Sequence, residues 1–241
     1  MHFPFIDISL SPGNFADAFK GLRIIQLCDL HISKKTDPAY LHQLISKVNE
    51  KNPDMVVFTG DIIKDFAFKL RVQLGALKGL HAPAYYVSGN HDFFFGLRTL
   101  RRELALSNIA CIDNACVHLI INDTPLQIVG LSNRPIRNKK NKRPTKELFS
   151  TLDEGVSTIL LAHQPNDIEF SKDYRIDIQL SAHTHNADAY PFHALLKKYQ
   201  PYYKGLYTKG RTLLYVSSGL NTSPFQLKRH SLAEIPVFTI L

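Results

Sequence analysis

Seven short runs rich in Ile, Leu and Val recur along the chain, at 22–28, 54–60, 82–87, 126–131, 157–162, 176–182 and 212–218. Within them apolar residues run nearly unbroken instead of alternating with polar ones, which predicts strands covered on both faces. Between the runs the period changes. In "PAYLHQLISKVNEK" (38–51), Leu41, Leu44, Ile45 and Val48 recur at helical spacing with Pro38 near the start, so a helix is expected there. The segments 66–80 and 97–107 also read as helices. The stretch 118–131, "HLIINDTPLQIVGL", reads as two strands around an Asn-Asp-Thr-Pro turn. Strands alternating with helices place the chain in the α/β class, as one mixed sheet or as two stacked sheets flanked by helices.

Composition narrows this picture. With 241 residues and 44% hydrophobic content, a full core can form, and a single domain over 1–241 is expected. No repeat period is present, and every apolar run is too short to span a bilayer. The opening "MHFPFIDISL" lacks the basic-then-apolar order of a signal peptide. Cys28, Cys111 and Cys116 are odd in number and lack zinc-finger spacing, so reduced thiols and a cytoplasmic location are expected.

Charge adds a local feature. The chain carries 29 Lys and Arg against 21 Asp and Glu, and 134–146, "RPIRNKKNKRPTK", holds seven of the basic residues and no acid. The rest is close to neutral, so the basicity marks a surface and not the whole chain. The stretch is placed to overhang the site as a cap, and three readings stand for it: a merely solvated loop, an anionic-membrane or phospholipid contact, or a nucleic-acid contact. Aromatic interleaving is missing there, which disfavours the last.

Candidate chemistry sits where the apolar runs end. "CDLHIS" supplies Asp29 and His31, and "TGDII" supplies Asp61. "SGNHD" supplies Asn90, His91 and Asp92. "LLAHQP" supplies His163, and "LSAHTHNAD" supplies His183 and His185. In α/β sheets ligands bind in the crevice at the carboxyl ends of strands. Carboxylate, imidazole and amide donors without thiolates suit Mn, Fe or Zn, and the candidates are too many for one ion of ordinary coordination number. They suit two.

In this order the motifs "DLH", "GD", "GNHD", "AHQP" and "AHTH", from Asp29 to His185, resemble the calcineurin-like metallophosphoesterase superfamily. The tail from 214 onward looks like its single-domain bacterial membrane-associated branch. The resemblance implies a four-layer α/β/β/α sandwich of two mixed sheets. It implies that Asp29, His31 and His185 hold one ion, that Asn90, His163 and His183 hold the second, and that Asp61 bridges them. Asn90 would then bring a neutral amide oxygen near an anionic substrate. Gly89 would let the backbone turn sharply, and His91 would be a catalytic residue rather than a ligand. Two positions depart from the family pattern: Ala182 stands where Gly is usual, and Lys64 stands where some members carry an Asp that orients the catalytic His. Whether Asp65, Asp92 or neither takes that second role is open at this point.

The function so implied is a two-metal phosphohydrolase acting on phosphodiester or pyrophosphate bonds, with manganese among the candidate metals. Relatives of this branch include the enzyme that cleaves the UDP-2,3-diacylglucosamine pyrophosphate in lipid A synthesis. A nuclease or cyclic-nucleotide phosphodiesterase, and a non-catalytic scaffold, are the alternatives. The expected partner is a phosphorylated small molecule or lipid, with the protein peripheral on the inner membrane face through 134–146. "FFFG" (93–96) is either an apolar wall for a leaving group or a helix-entry cluster, and "YQPYYKGLY" (199–207) reads as a turn and packing segment.

Overall fold

The computed structural model describes residues 3–133, 145–184, 201–220 and 233–241. In chain order the strands are β1 (Phe5–Leu10), β2 (Arg23–Leu27), β3 (Met55–Thr59), β4 (Ala84–Val87), β5 (Ile109–Cys111), β6 (Ala115–Ile121), β7 (Thr124–Leu131), β8 (Ser157–Ala162), β9 (Ile178–Ser181), β10 (Gly205–Lys209), β11 (Thr212–Val216) and β12 (Ile235–Ile240). They form two six-stranded mixed sheets, ordered β1-β12-β2-β3-β4-β5 and β10-β11-β9-β8-β7-β6. In the first, only the β12–β2 pair is antiparallel. In the second, the two outer pairs are antiparallel and the inner four strands, β11, β9, β8 and β7, run parallel to one another.

The unbroken apolar runs are explained by what covers them. Ile24, Met55, Val57 and Val87 of the first sheet meet Ile128, Ile159, Leu161 and Leu180 of the second in one buried layer. The alternate residues Ile25, Leu27, Val56 and Phe58 face outward and are covered by helices. The principal cover is helix α1 (Pro38–Glu50), which buries Leu41, Leu44, Ile45 and Val48. Its start is fixed by Pro38 and by the Asp37 carboxylate, which accepts a hydrogen bond from the Ala39 amide at 2.9 Å. On the far face of the second sheet, Val129, Leu131, Leu160 and Ala162 pack under Phe149 of a short helix. Helices therefore flank both sheets.

The expected helix at 66–80 is interrupted. It resolves into a 3-10 turn at Ala67–Lys69, a short helix α2 (Arg71–Gly75) and a second 3-10 turn at Ala76–Gly79. Gly75 and Gly79 both weaken helix continuation. Next come α3 (Asn90–Phe94) and α4 (Leu97–Ala105), and α5 (Thr145–Phe149) is the helix beneath the second sheet. The β6–β7 hairpin turns on Asn122 and Asp123 alone, with φ of 50° and 58°, the geometry that suits right-twisted strands. Thr124 and Pro125 already belong to β7. Pro125 is tolerated because β8 begins pairing only at Leu126. Pro236 in β12 is similar, since β2 pairs only from Val237. The segment after 201 packs Tyr202 against Tyr207, with centroids 5.3 Å apart, and then becomes strand β10.

Candidate metal centre

The parallel strands of both sheets deliver their carboxyl ends to one crevice. β2 leads to Asp29 and His31, β3 to Asp61, β4 to Asn90 and His91, β8 to His163, and β9 to His183. The loops take backbone conformations that side chains rarely adopt. Asp29 (φ 48°), His31 (47°), Asp61 (53°) and His183 (74°) are all left-handed. For the two histidines, and for carboxylates in a buried loop, such strain persists only where surroundings enforce it. Here the Asp29 amide donates to Gly60 O and the His31 amide to Asp61 O, both at 3.1 Å, and so lace the first two loops together.

Asp61 is the centre of the arrangement. Its Oδ2 lies 3.4 Å from His163 Nε2 and 3.9 Å from His91 Nε2, and its Oδ1 accepts the His91 amide at 2.9 Å. His31, Asp61 and His91 offer donor atoms all within 4.8 Å of one another, and so do Asp61, His163 and His183. The one carboxylate thus belongs to two groups. Burial works against its charge, but the imidazoles of His163, His31 and His91 hold its carboxyl well below the usual range. Burial likewise disfavours a charged His163, yet Asp61, and behind it Asp29, push that imidazole up to about 9.

The donor set fits cations. His163 Nδ1 lies 2.7 Å from Thr59 O and donates to it, which leaves Nε2, 3.4 Å from Asp61 Oδ2, as the atom where a cation would take the place of a proton. His183 Nδ1 sits 3.1 Å from that same Nε2, an approach of two ring nitrogens that calls for a proton or a metal between them. Nitrogen and oxygen donors without sulfur match Mn, Fe or Zn. The His183 amide donates to Asp29 Oδ2 at 3.2 Å, which ties the second sheet's loop to the first sheet's.

Below the crevice, Asp92 organises the backbone. Its carboxylate accepts from the amides of Asp61 and Gly89 at 2.9 Å, from that of Ile63 at 3.2 Å, and from Tyr86 Oη at 2.9 Å. Complete burial, then repulsion from Asp61, raises its carboxyl to about 7. Asp65 accepts from the Lys34 amide at 2.9 Å. Neither carboxylate is bonded to the His91 ring, whose Nδ1 has no hydrogen-bond partner among the described residues.

Of the expected site residues, the structure brings together Asp29, His31, Asp61, His91, His163 and His183, with Asn90 next to His91 at the start of α3. His185 lies outside the described residues, as does 134–146 apart from its last two residues, which open α5. Gly89 needs a different explanation from the one its sequence suggested. Its φ is −92°, ordinary for any residue. A Cβ there would sit 2.1 Å from Asp61 Oδ1, so glycine is required by close approach. Gly219 (φ 74°) has the same role on the other side, where a Cβ would come within 2.6 Å of the Asp29 Cβ. Ala182 is buried and its amide donates to His163 O at 3.0 Å. One residue escaped the sequence reading: Asn133, after β7, whose Nδ2 lies 3.4 Å from Asn90 Oδ1. Its signal was the same as that of the others, a polar residue just past an apolar run.

Known proteins are similar to this chain. An uncharacterized metallophosphoesterase of Helicobacter pylori is 32% identical over 228 residues, covering 92% of this chain and 60% of the relative. The chain thus spans well under two thirds of that relative's length. UDP-2,3-diacylglucosamine pyrophosphatase LpxG of Chlamydia muridarum is 30% identical over 218 residues, covering 72% of this chain and 66% of the relative. The fold is that of phosphopantetheinyl hydrolase PptH from Mycobacterium tuberculosis, with a TM-score of 0.58 at 13% identity over 88% of this chain and 93% of that one. Residues 22–187, the span holding every candidate ligand, match the calcineurin-like phosphoesterase family, and the chain belongs to that family.

Proposed function

We propose that the chain is a two-metal phosphohydrolase cleaving phosphodiester or pyrophosphate bonds. The observation that carries this reading is Asp61, one carboxylate shared by two imidazole groups. Asp29, His31 and His185 would hold one ion, Asn90, His163 and His183 the other, with Asp61 between. Bound there, two such ions supply Lewis acidity to a phosphoryl group and make a water nucleophilic near neutral pH. The remaining work belongs to the chain. Thr59 O fixes the His163 tautomer, and Asn90 adds a donor oxygen without adding negative charge. His91, with a side chain 40% exposed where that of His163 is fully buried, faces the open side. From there its imidazole protonates the leaving oxygen or stabilises charge on it.

Hydrolysis of a small chromogenic phosphodiester with Mn²⁺, run beside Asn90→Ala, tests the reading. Activity in the intact chain and loss in the variant are expected. Bound metal without hydrolysis under Mn²⁺, Fe²⁺ and Zn²⁺ would instead make the chain a binding scaffold. Within this reading, the 30% identity to LpxG favours a nucleoside-diphosphate lipid as the substrate. Release of uridine monophosphate from UDP-2,3-diacylglucosamine, faster than from an acyl-free UDP-sugar, is the expected outcome.

A further inference from the structure

Beside the crevice lies an aromatic surface that the hydrolytic reading does not use. The His91 ring stacks on Phe95 at 6.0 Å between centroids, Phe95 meets Phe66 edge-on at 5.9 Å, and Phe66 meets Phe68 at 5.9 Å. The contacts lead outward from the site to solvent. Phe66 is 49% exposed and Phe68 57%. Val72, at the start of α2, is 71% exposed, and Phe94 is also exposed. The two segments are bonded to each other, since the Ala67 amide donates to Phe95 O at 2.9 Å. Single exposed hydrophobics are ordinary, but a contiguous set beside a site marks an interaction surface.

Cations outnumber acids around it. Lys69 Nζ stands over both rings, 5.7 Å from the Phe66 centroid and 5.3 Å from that of Phe68. The exposed Lys34 and Lys35 lie on the adjoining loop, held there by the bond from the Lys34 amide to Asp65. The nearby acids are engaged: Asp65 in that bond, and Glu103 by Arg71 and Arg102.

We infer that this ridge docks the chain on an anionic lipid surface. The Phe66 and Phe68 rings enter the boundary between headgroups and acyl chains, and Lys34, Lys35 and Lys69 meet the lipid phosphates. Apolar rings capped and bordered by cations complement the two features that a bilayer interface presents in one plane. A soluble phosphate ester would call on the lysines but leave the rings without a role. Docked this way, the mouth of the crevice lies at the lipid surface, because His91 is the inner end of the ridge. The inference does not depend on hydrolysis, and its test reads binding alone.

The chain contains no tryptophan, so Phe68→Trp introduces a single reporter at the tip of the ridge. With the full chain and vesicles of phosphatidylcholine mixed with phosphatidylglycerol, its emission should shift to the blue, and pure phosphatidylcholine should shift it less. A tryptophan at Ile120, exposed on β6 of the other sheet, should not shift. In vesicle sedimentation, Phe66→Ser with Phe68→Ser should weaken binding by at least about tenfold. Undiminished binding of that double variant would overturn the proposal and move the contact elsewhere, to 134–146 for instance. An unshifted Phe68→Trp emission on vesicles would overturn it too, and so would a ridge that instead holds two copies of the chain together in solution.

Discussion

His163 and His91 approach the same carboxylate oxygen, but the protein treats them differently. His163 is fully buried, with one ring nitrogen fixed by Thr59 O and the other facing Asp61 and His183. His91 keeps a side chain 40% exposed, and its Nδ1 has no partner among the described residues. One is enclosed by the fold, and the other is held by its backbone, by Phe95 and by the edge of His31. The difference teaches that distance to Asp61 does not by itself assign a role. Immobilisation suits a ligand, and exposure suits a group that must reach a substrate.

The sharpest way to break the contrast is to remove what both histidines share. Asp61→Asn keeps the shape and deletes the charge. Because losing an outer partner of a metal ligand already costs 10–100-fold, this change should lower metal affinity and turnover by more than about 10²-fold, as read by metal content and phosphodiester hydrolysis. The two histidines should then separate. His91→Ala is expected to reduce turnover by about 10²–10⁴-fold with metal content intact, whereas His163→Ala should empty the centre. If metal is lost from His91→Ala as well, His91 is a ligand, as its place among donors within 4.8 Å would permit.

A smaller effect tests the backbone beneath. Gly89→Ala forces a methyl group against Asp61 Oδ1, and urea unfolding should register a loss of about 1–3 kcal/mol together with weaker metal binding. Tyr86→Phe removes only the hydroxyl that donates to Asp92. It should cost about 1–2 kcal/mol in the same assay and affect the surroundings of both histidines alike, since Asp92 holds the amides of Asp61, Ile63 and Gly89.

The central strands and the residues at their ends were legible in the sequence, because burial on both faces leaves unbroken apolar runs and polar residues stand out where such runs stop. β1 and β10 were not. Their residues alternate between more and less exposed positions at sheet edges, so their apolar signal is diluted. β12 was hidden by Pro236, which argues against an interior strand unless one knows that its β2 neighbour starts a residue later. Asp92 could be seen as part of "GNHD", but its position under four donors depends on β3 and β4 lying side by side. The steric need for glycine at 89 was invisible for the same reason: it is a fact about Asp61, distant in sequence and adjacent in space.

The placement of β12 governs the order of assembly. It lies between β1 and β2, parallel to the first and antiparallel to the second, so a strand made late must enter between two made early. As the ribosome releases the chain, β1 has no neighbour in its own sheet until residues near 240 emerge. Pairing across so long a separation is slow, because loop closure costs entropy before contacts repay it. Until then the nascent chain displays an unfilled slot beside β2, a standing invitation to a chaperone or to the wrong strand.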